Sequence, residues 1–255
     1  MTAPLATLLF ASACGVLLWL LSLRIRDVSI IDIFWGPAIA AVVGIAYWLA
    51  PNPGERGLLA LILVNIWAAR LALHIWARHD GEDHRYAAMR KASGPRWWWR
   101  SLLKVFFLQI ILIWFVPAPL VAAVQSGGDP LGLLDGLGVA LALGGLGFES
   151  LADWQLARFR RDPANRGKVM DRGLWGLSRH PNYFGEAVMW WGFFLIGFAG
   201  SGAWWIALGP AIVTFLLLKV SGVTLMEDGI EERRPKYAAY KKRVSAFVPW
   251  PPKKA

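Results

Sequence analysis

The sequence predicts an all-α integral membrane bundle of about seven transmembrane helices, and three observations carry that expectation. Apolar residues make up 56% of the 255-residue chain, above the roughly 45–50% of soluble domains. The excess is gathered into blocks of about 20 residues, the length that crosses a bilayer as a helix. Lys and Arg lie between the blocks, where the positive-inside rule expects them. The formal charge of +10 is therefore read as topology, and no nucleic-acid partner is expected.

The first block, residues 4–23, ends at Arg24 and Arg26. No basic region stands ahead of it, so it reads as a span and not as a removed signal peptide. Residues 30–49 span next, preceded by Asp27 and carrying Asp32 near their start. Pro51, Asn52, Pro53 and Gly54 form a turn. The third span, 58–77, carries Arg70 and His74, and the polar segment 78–100 ends in the interfacial cluster Trp97, Trp98 and Trp99. Residues 102–124 form a fourth span that Pro117 and Pro119 kink or end early. After the loop 125–135, a fifth span at 137–156 carries Glu149 and Asp153. A basic loop, 158–179, leads to a short sixth span at 183–198. The seventh covers 204–225, ahead of a polar, basic tail.

The distribution of charge supports seven spans. Residues 78–104 hold seven Lys/Arg, 158–179 hold seven and the tail after Glu227 holds eight, whereas the alternate loops around Pro51, Asp129 and Ser201 hold Arg56 alone. Seven spans put every basic loop on one side, so the N-terminus is expected outside and the C-terminus in the cytoplasm. There is no internal repeat or low-complexity linker, so residues 1–255 are expected to form one transmembrane domain. The single cysteine, Cys14, excludes an internal disulfide and offers no set of metal ligands. No metal is expected.

Most of the chemistry stands in 178–186, SRHPNYFGE. Charged groups at membrane depth cost roughly 2.5 to 3.5 kcal/mol each on insertion scales, so those retained there mark function. A helix beginning near Asn182 places Asn182, Glu186 and Trp190 on one face, with Pro181 tolerated in its first turn. Its N-terminal N–H groups suit an anion or a carboxamide. Ahead of it stand Arg158, Arg160, Arg161, Arg166, Lys168, Arg172 and Arg179. Guanidinium groups bind phosphate bidentately, although the same charges also serve orientation or anionic headgroups. Glu149 and Asp153, spaced i,i+4, suit the hydroxyl donors of a ribose.

ESLAD at 149–153, the Arg160 region, Gly173–Leu174–Trp175, SRHPNYFGE and the ending KYAAYKKRVSAFVP resemble the C-terminal half of steroid 5α-reductases. Most of the chain, including DVSIIDIFWG near its start, resembles the bacterial multi-spanning branch of that family. The resemblance implies an NADPH site buried among helices over about 137–250, hydride transfer to the double bond of an enone, and a multi-pass protein of the bacterial inner membrane. Matching positions imply cofactor contacts from Asp153, Arg160, Lys168, Asn182, Tyr183, Glu186 and Tyr240, with Asn182 and Glu186 on the nicotinamide carboxamide and Arg160 on the phosphates. Glu149 and Arg179 complete the expected cofactor set. Glu149 stands where the steroid enzymes have asparagine, and Lys168 where they have arginine. His180 has no catalytic counterpart there and is expected to be structural or phosphate-adjacent.

Reduction of an enone needs an acid at the carbonyl, and the candidates are Asp32, His74 and Tyr86, with Asp32 and His74 in the lead. Arg70, His74 and Arg78 share one helical face. Against catalysis, Asp32 is set to pair with Arg70 and His74 to make an interhelical hydrogen bond. Tyr86 is expected in an interfacial loop. The steroid enzymes place a carboxylate and a tyrosine near the substrate carbonyl. Here RLALHIWAR at 70–78 has Ile75 where a tyrosine would stand, and the second span has no matching glutamate, so steroid specificity does not carry over. The expected substrate is a lipophilic molecule entering from the bilayer, with membrane lipids as the other partners. Two alternatives remain open. RHPNY followed by a Tyr-bearing basic tail is also similar to isoprenylcysteine carboxyl and phospholipid methyltransferases, whose S-adenosylmethionine would face Glu227, Asp228, Glu231 and Glu232. A non-enzymatic lipid-binding protein is the other.

Overall fold

The computed structural model describes residues 2–253 apart from 221, 224–226, 228 and 229, and leaves out the side chains of 232 and 233. Helix accounts for 78% of the protein and no strand forms among the described residues, which bears out the all-α class. Helix α1 (Ala3–Ile25) carries Pro4 in its first turn, where no N–H is needed. It ends at Arg26, whose left-handed φ of 58° lets its N–H bond Ser22 O. Helix α2 (Ile30–Leu49) follows the DVS turn, and α3 (Gly54–Trp76) follows the Pro-Asn-Pro turn. Helix α4 (His84–Ser93) is capped by Asp83, whose carboxylate accepts from Arg85 N. Helix α5 (Trp97–Ser101) runs through a π-helical turn (Leu102–Phe106) into α6 (Phe107–Phe115). The helix breaks before α7 (Ala118–Gln125), because Pro117 and Pro119 each lack an N–H donor.

Helix α8 (Leu133–Arg161) is longer at both ends than the span expected at 137–156. Helix α9 (Pro181–Ser201) starts at the proline itself. A 3-10 turn (Trp204–Ala207), α10 (Leu208–Phe215), a second π-helical turn (Leu216–Val220), α11 (Ile230–Arg233) and α12 (Tyr237–Arg243) complete the order. Among the described residues, five helical stretches are long and apolar enough to cross a membrane: Ala3–Ile25, Ile30–Leu49, Gly54–Trp76, the run His84–Gln125, and Leu133–Arg161. Of the other two expected spans, 183–198 falls within α9 and 204–225 begins in the shorter apolar helix Trp204–Val220, and neither is among these five. The end of the expected seventh span, at Leu225, lies outside the described residues.

The chain divides into two compact units, Met1–Asp135 with Ile196–Ile206, and Gly136–Leu195 with Ala207–Ala255. In the first unit, Gly36 lets α2 lie against the backbone of Ala68 on α3. Trp35 meets the fully buried Trp67 edge-on, with ring centroids 5.7 Å apart. The loop before α8 is fixed by a buried ion pair, Arg56 Nε to Asp135 Oδ1 at 2.8 Å. Arg56 also donates to Pro130 O, and Asp135 accepts from Gly132 N. Every polar atom in this loop anchor thus finds a partner of opposite kind, as a buried charge requires. The second unit is organised on the α8–α9 contact.

Candidate functional site

Helices α8 and α9 meet backbone to backbone. A Cβ on Gly185 would stand 2.6 Å from Glu149 N and 2.7 Å from Gly145 O, and one on Gly192 would stand 2.6 Å from Gly138 O. Small residues in register are how helices approach closely without a water-driven force between them. That approach brings the polar residues of the two helices together. Asn182 Nδ2 donates to Asp153 Oδ1 at 3.1 Å. The carboxylate fixes which end of the amide faces it, since only the NH2 end donates. Asn182 Oδ1 is left buried with no hydrogen-bond partner. Glu149 and Asp153 are buried carboxyl groups, 4% and 7% exposed. Glu186 and Trp190 follow Asn182 at i+4 and i+8 on the same helix. The expected face of Asn182, Glu186 and Trp190 therefore forms, with Asp153 directly bonded to its first member.

The segment leading into α9 is braced on both sides. Gly173, at φ 58°, packs on the Gln155 side chain, whose Oε1 accepts from Leu174 N. Trp175 Nε1 donates to Ala152 O at 2.9 Å. From the other side the tail runs alongside in extended form: Arg179 N donates to Ser245 O, Ser178 Oγ to Phe247 O and Trp250 N to Leu177 O. Arg179 is buried and bonds Glu227 through Nε at 2.6 Å and Nη2 at 3.1 Å, while its Nη1 donates to Lys241 O and Val244 O. The guanidinium expected on a cofactor phosphate thus binds the tail. His180 Nε2 lies 3.1 Å from Glu227 Oε1, and its ring stacks on Tyr183 with centroids 5.4 Å apart. Burial pushes the Glu227 carboxyl up, but hydrogen bonds from His180 and Arg179 and their charges outweigh it and hold it at about 2. Burial, then the Glu227 charge, pushes the Tyr237 hydroxyl well above its usual range. The Tyr240 hydroxyl, also raised by burial, donates to Trp175 O.

Glu227 is therefore engaged by Arg179, His180 and Tyr237, and Glu231 bonds Lys241 at 3.1 Å. Asp228 and the Glu232 side chain lie outside the described residues. Arg160 is exposed in the last turn of α8. Lys168 lines a cleft of about 340 Å³ in which Arg172, Lys236, Tyr240 and Arg243 take part.

In the first unit, Asp32 opens α2 and accepts from the Tyr86 hydroxyl at 2.9 Å and from Arg85 Nη2 at 3.2 Å. Tyr86 is no loop residue. It sits in the first turn of α4, 8% exposed, against Val28, Ile31, Trp97 and Phe106. The signal that finds it is Asp83, an N-cap residue directly ahead of the Ala-, Lys- and Arg-bearing run that becomes α4. The surrounding turn is tied down: Glu82 accepts from Val28 N and Arg90, and Asp27 from Ser29 Oγ and His79. His74 Nε2 accepts from Arg78 Nη1 at 2.9 Å. A guanidinium only donates, so that nitrogen offers its lone pair, not a proton.

A helical protein with membrane-length spans and a set of buried, mutually bonded polar groups is the class that this fold and these sites define. Residues 18–244 match the family described as "Protein of unknown function (DUF1295)", and the chain belongs to that family. It is also similar to an uncharacterized protein, C594.04c, of Schizosaccharomyces pombe, 25% identical over 95% of this chain and 78% of the relative. No solved structure matches the chain significantly.

Proposed function

We propose that the chain is a membrane-embedded reductase that uses NADPH to reduce the double bond of a lipophilic enone. One observation carries this reading: the buried Asn182 Oδ1, an acceptor without a partner, beside the Asp153 carboxylate. A buried acceptor left unmade costs about 1–3 kcal/mol, and a primary carboxamide supplies the N–H that it lacks. The second unit also carries residue types that suit the rest of the dinucleotide. Glu186 lies one helical turn along the same face for the carboxamide's other N–H, and Glu149 and Asp153 suit ribose hydroxyls. Arg160 and Lys168 are exposed and suit phosphates. The resemblance to steroid 5α-reductases points the same way.

NADPH, when bound, supplies the hydride; the protein supplies orientation and electrostatics. Asp153 holds the Asn182 amide in one orientation, and the tail clamp on Arg179 fixes where α9 begins. Asp32, His74 and Tyr86 are the candidate acids for the substrate carbonyl, and Asp32 accepts from the Tyr86 hydroxyl and from Arg85. Seven spans, with the C-terminus in the cytoplasm, accompany this reading, because they put the basic loops where a soluble nucleotide arrives; a C-terminal reporter active only in the periplasm would refute that orientation. Calorimetric binding of NADPH to the detergent-purified protein, weakened about tenfold or more in Asn182→Ala, tests the cofactor assignment.

A further inference from the structure

The cleft beside Lys168 gathers more cations than carboxylates among the described residues. One wall is the loop after α8, with Lys168, Asp171 and Arg172; the other is α12 and the residue before it, with Lys236 and Arg243. Two segments about 65 residues apart thus bring four cations and one carboxylate to a single concavity of about 340 Å³. Arg243 pairs with Asp171 at 3.6 Å, both side chains being more than 40% exposed, and an exposed pair of that length is weak and easily exchanged. The side chains of Lys168, Arg172 and Lys236 have no acidic partner among the described residues. The cleft is not wholly polar, since Phe159 and Tyr240 also line it. Tyr240 is held there by its hydroxyl bond to Trp175 O.

From this we infer that the cleft is a binding site for a phosphomonoester. Such a group carries about −1.5 to −2 charges at pH 7 with three acceptor oxygens. That matches an excess of three positive charges better than a phosphodiester's single charge does. The guanidinium of Arg172 meets it bidentately and the two lysines as point charges, while the Phe159 and Tyr240 rings give an apolar floor to whatever bears the phosphate. Two sources carry this chemistry: the 2′-phosphate of a nicotinamide dinucleotide, which rests on the reductase reading, and the headgroup of phosphatidic acid, which does not.

The test uses the full chain in detergent, and the same chain against phosphatidylcholine vesicles with and without phosphatidic acid. It compares wild type with Arg172→Ala/Lys236→Ala and the conservative Arg172→Lys/Lys236→Arg. These side chains are exposed, and an unchanged elution profile and melting temperature show that the variants are folded. On the nucleotide source, 2′,5′-ADP binds the wild type and its affinity falls about tenfold for each charge-assisted contact removed. The preference for NADPH over NADH falls with it, and the conservative variant restores both. On the lipid source, 2′,5′-ADP does not bind, while retention on phosphatidic acid vesicles is lost in the alanine variant and kept in the conservative one. Identical behaviour of wild type and alanine variant toward both ligands overturns the site. If NADPH and NADH then bind equally well, the reductase reading survives without the cleft; if no nicotinamide nucleotide binds but phosphatidic acid does, the cleft survives without the reductase.

Discussion

Asn182 donates its amide to Asp153 at 3.1 Å across the α8–α9 contact, and the price of that bond is a buried Oδ1 with no partner of its own. Such a group is costly unless a ligand completes it. Asp153→Ala frees the amide to rotate, and Asn182→Ala removes it. Each is expected to weaken NADPH binding about tenfold or more, the equivalent of one hydrogen bond to a polar partner. Calorimetry on the detergent-purified variants reads this directly, and wild-type affinity in Asn182→Ala contradicts the assignment.

The contact itself depends on glycine. A methyl at Gly185 would stand 2.6 Å from Glu149 N, and neither backbone can yield without parting the helices. Gly185→Ala is expected to destabilise the protein by about 1–3 kcal/mol, as overpacking does, and to impair nucleotide binding by displacing Asn182 from Asp153. Alanine at Gly144, which meets open space, is the matched control and leaves melting unchanged.

Tyr86→Phe keeps the ring and removes the donor. Asp32 then loses the hydroxyl that donates to it at 2.9 Å, and a loss of about 1–3 kcal/mol is expected in thermal melts; an unchanged melting temperature contradicts the bond.

Acid is expected to release the tail. The Glu227 carboxyl is held at about 2, against an ordinary 4.5. A carboxyl depressed in the fold contributes stability above its unfolded pKa, and that contribution is lost as pH falls through the folded one. Protection of the amides at residues 177–179 and 244–250, taken relative to their intrinsic exchange rates at each pH, is therefore expected to fall between pH about 4.5 and about 2. Glu227→Gln is expected to show low protection already at pH 7, with no further fall in that window. Wild-type protection that stays constant down to pH 2 contradicts the clamp.

Arg56→Ala strands Asp135 as an uncompensated buried charge, and a loss of about 3–5 kcal/mol is expected. Arg56→Ala/Asp135→Ala should recover part of it in thermal melts.

The helices were legible because apolar blocks, prolines and loop charge are local signals. Residues 30–49 form a helix with those bounds, and the chain breaks at Pro117 as a ring without a donor requires. The face of Asn182, Glu186 and Trp190 was legible for the same reason, given a helix start at Pro181. Partners across the fold were not. Nothing in the spacing says that Arg179 would turn to Glu227, 48 residues on, or that Tyr86 would reach Asp32, 54 residues back. The polarity of its segment makes Tyr86 read as a loop residue, although Asp83 signals a helix start directly ahead of it. The close approach of Gly145 and Gly185 is likewise a relation between two helices that neither announces alone.

Titration of the detergent-purified protein with NADPH and, separately, with S-adenosylmethionine bears most directly on the function. The expected result is saturable NADPH binding, weakened about tenfold or more in Asn182→Ala, with no heat from S-adenosylmethionine. Binding of S-adenosylmethionine and of no nicotinamide nucleotide would contradict the reductase, and with it the roles given to Asn182 and Asp153.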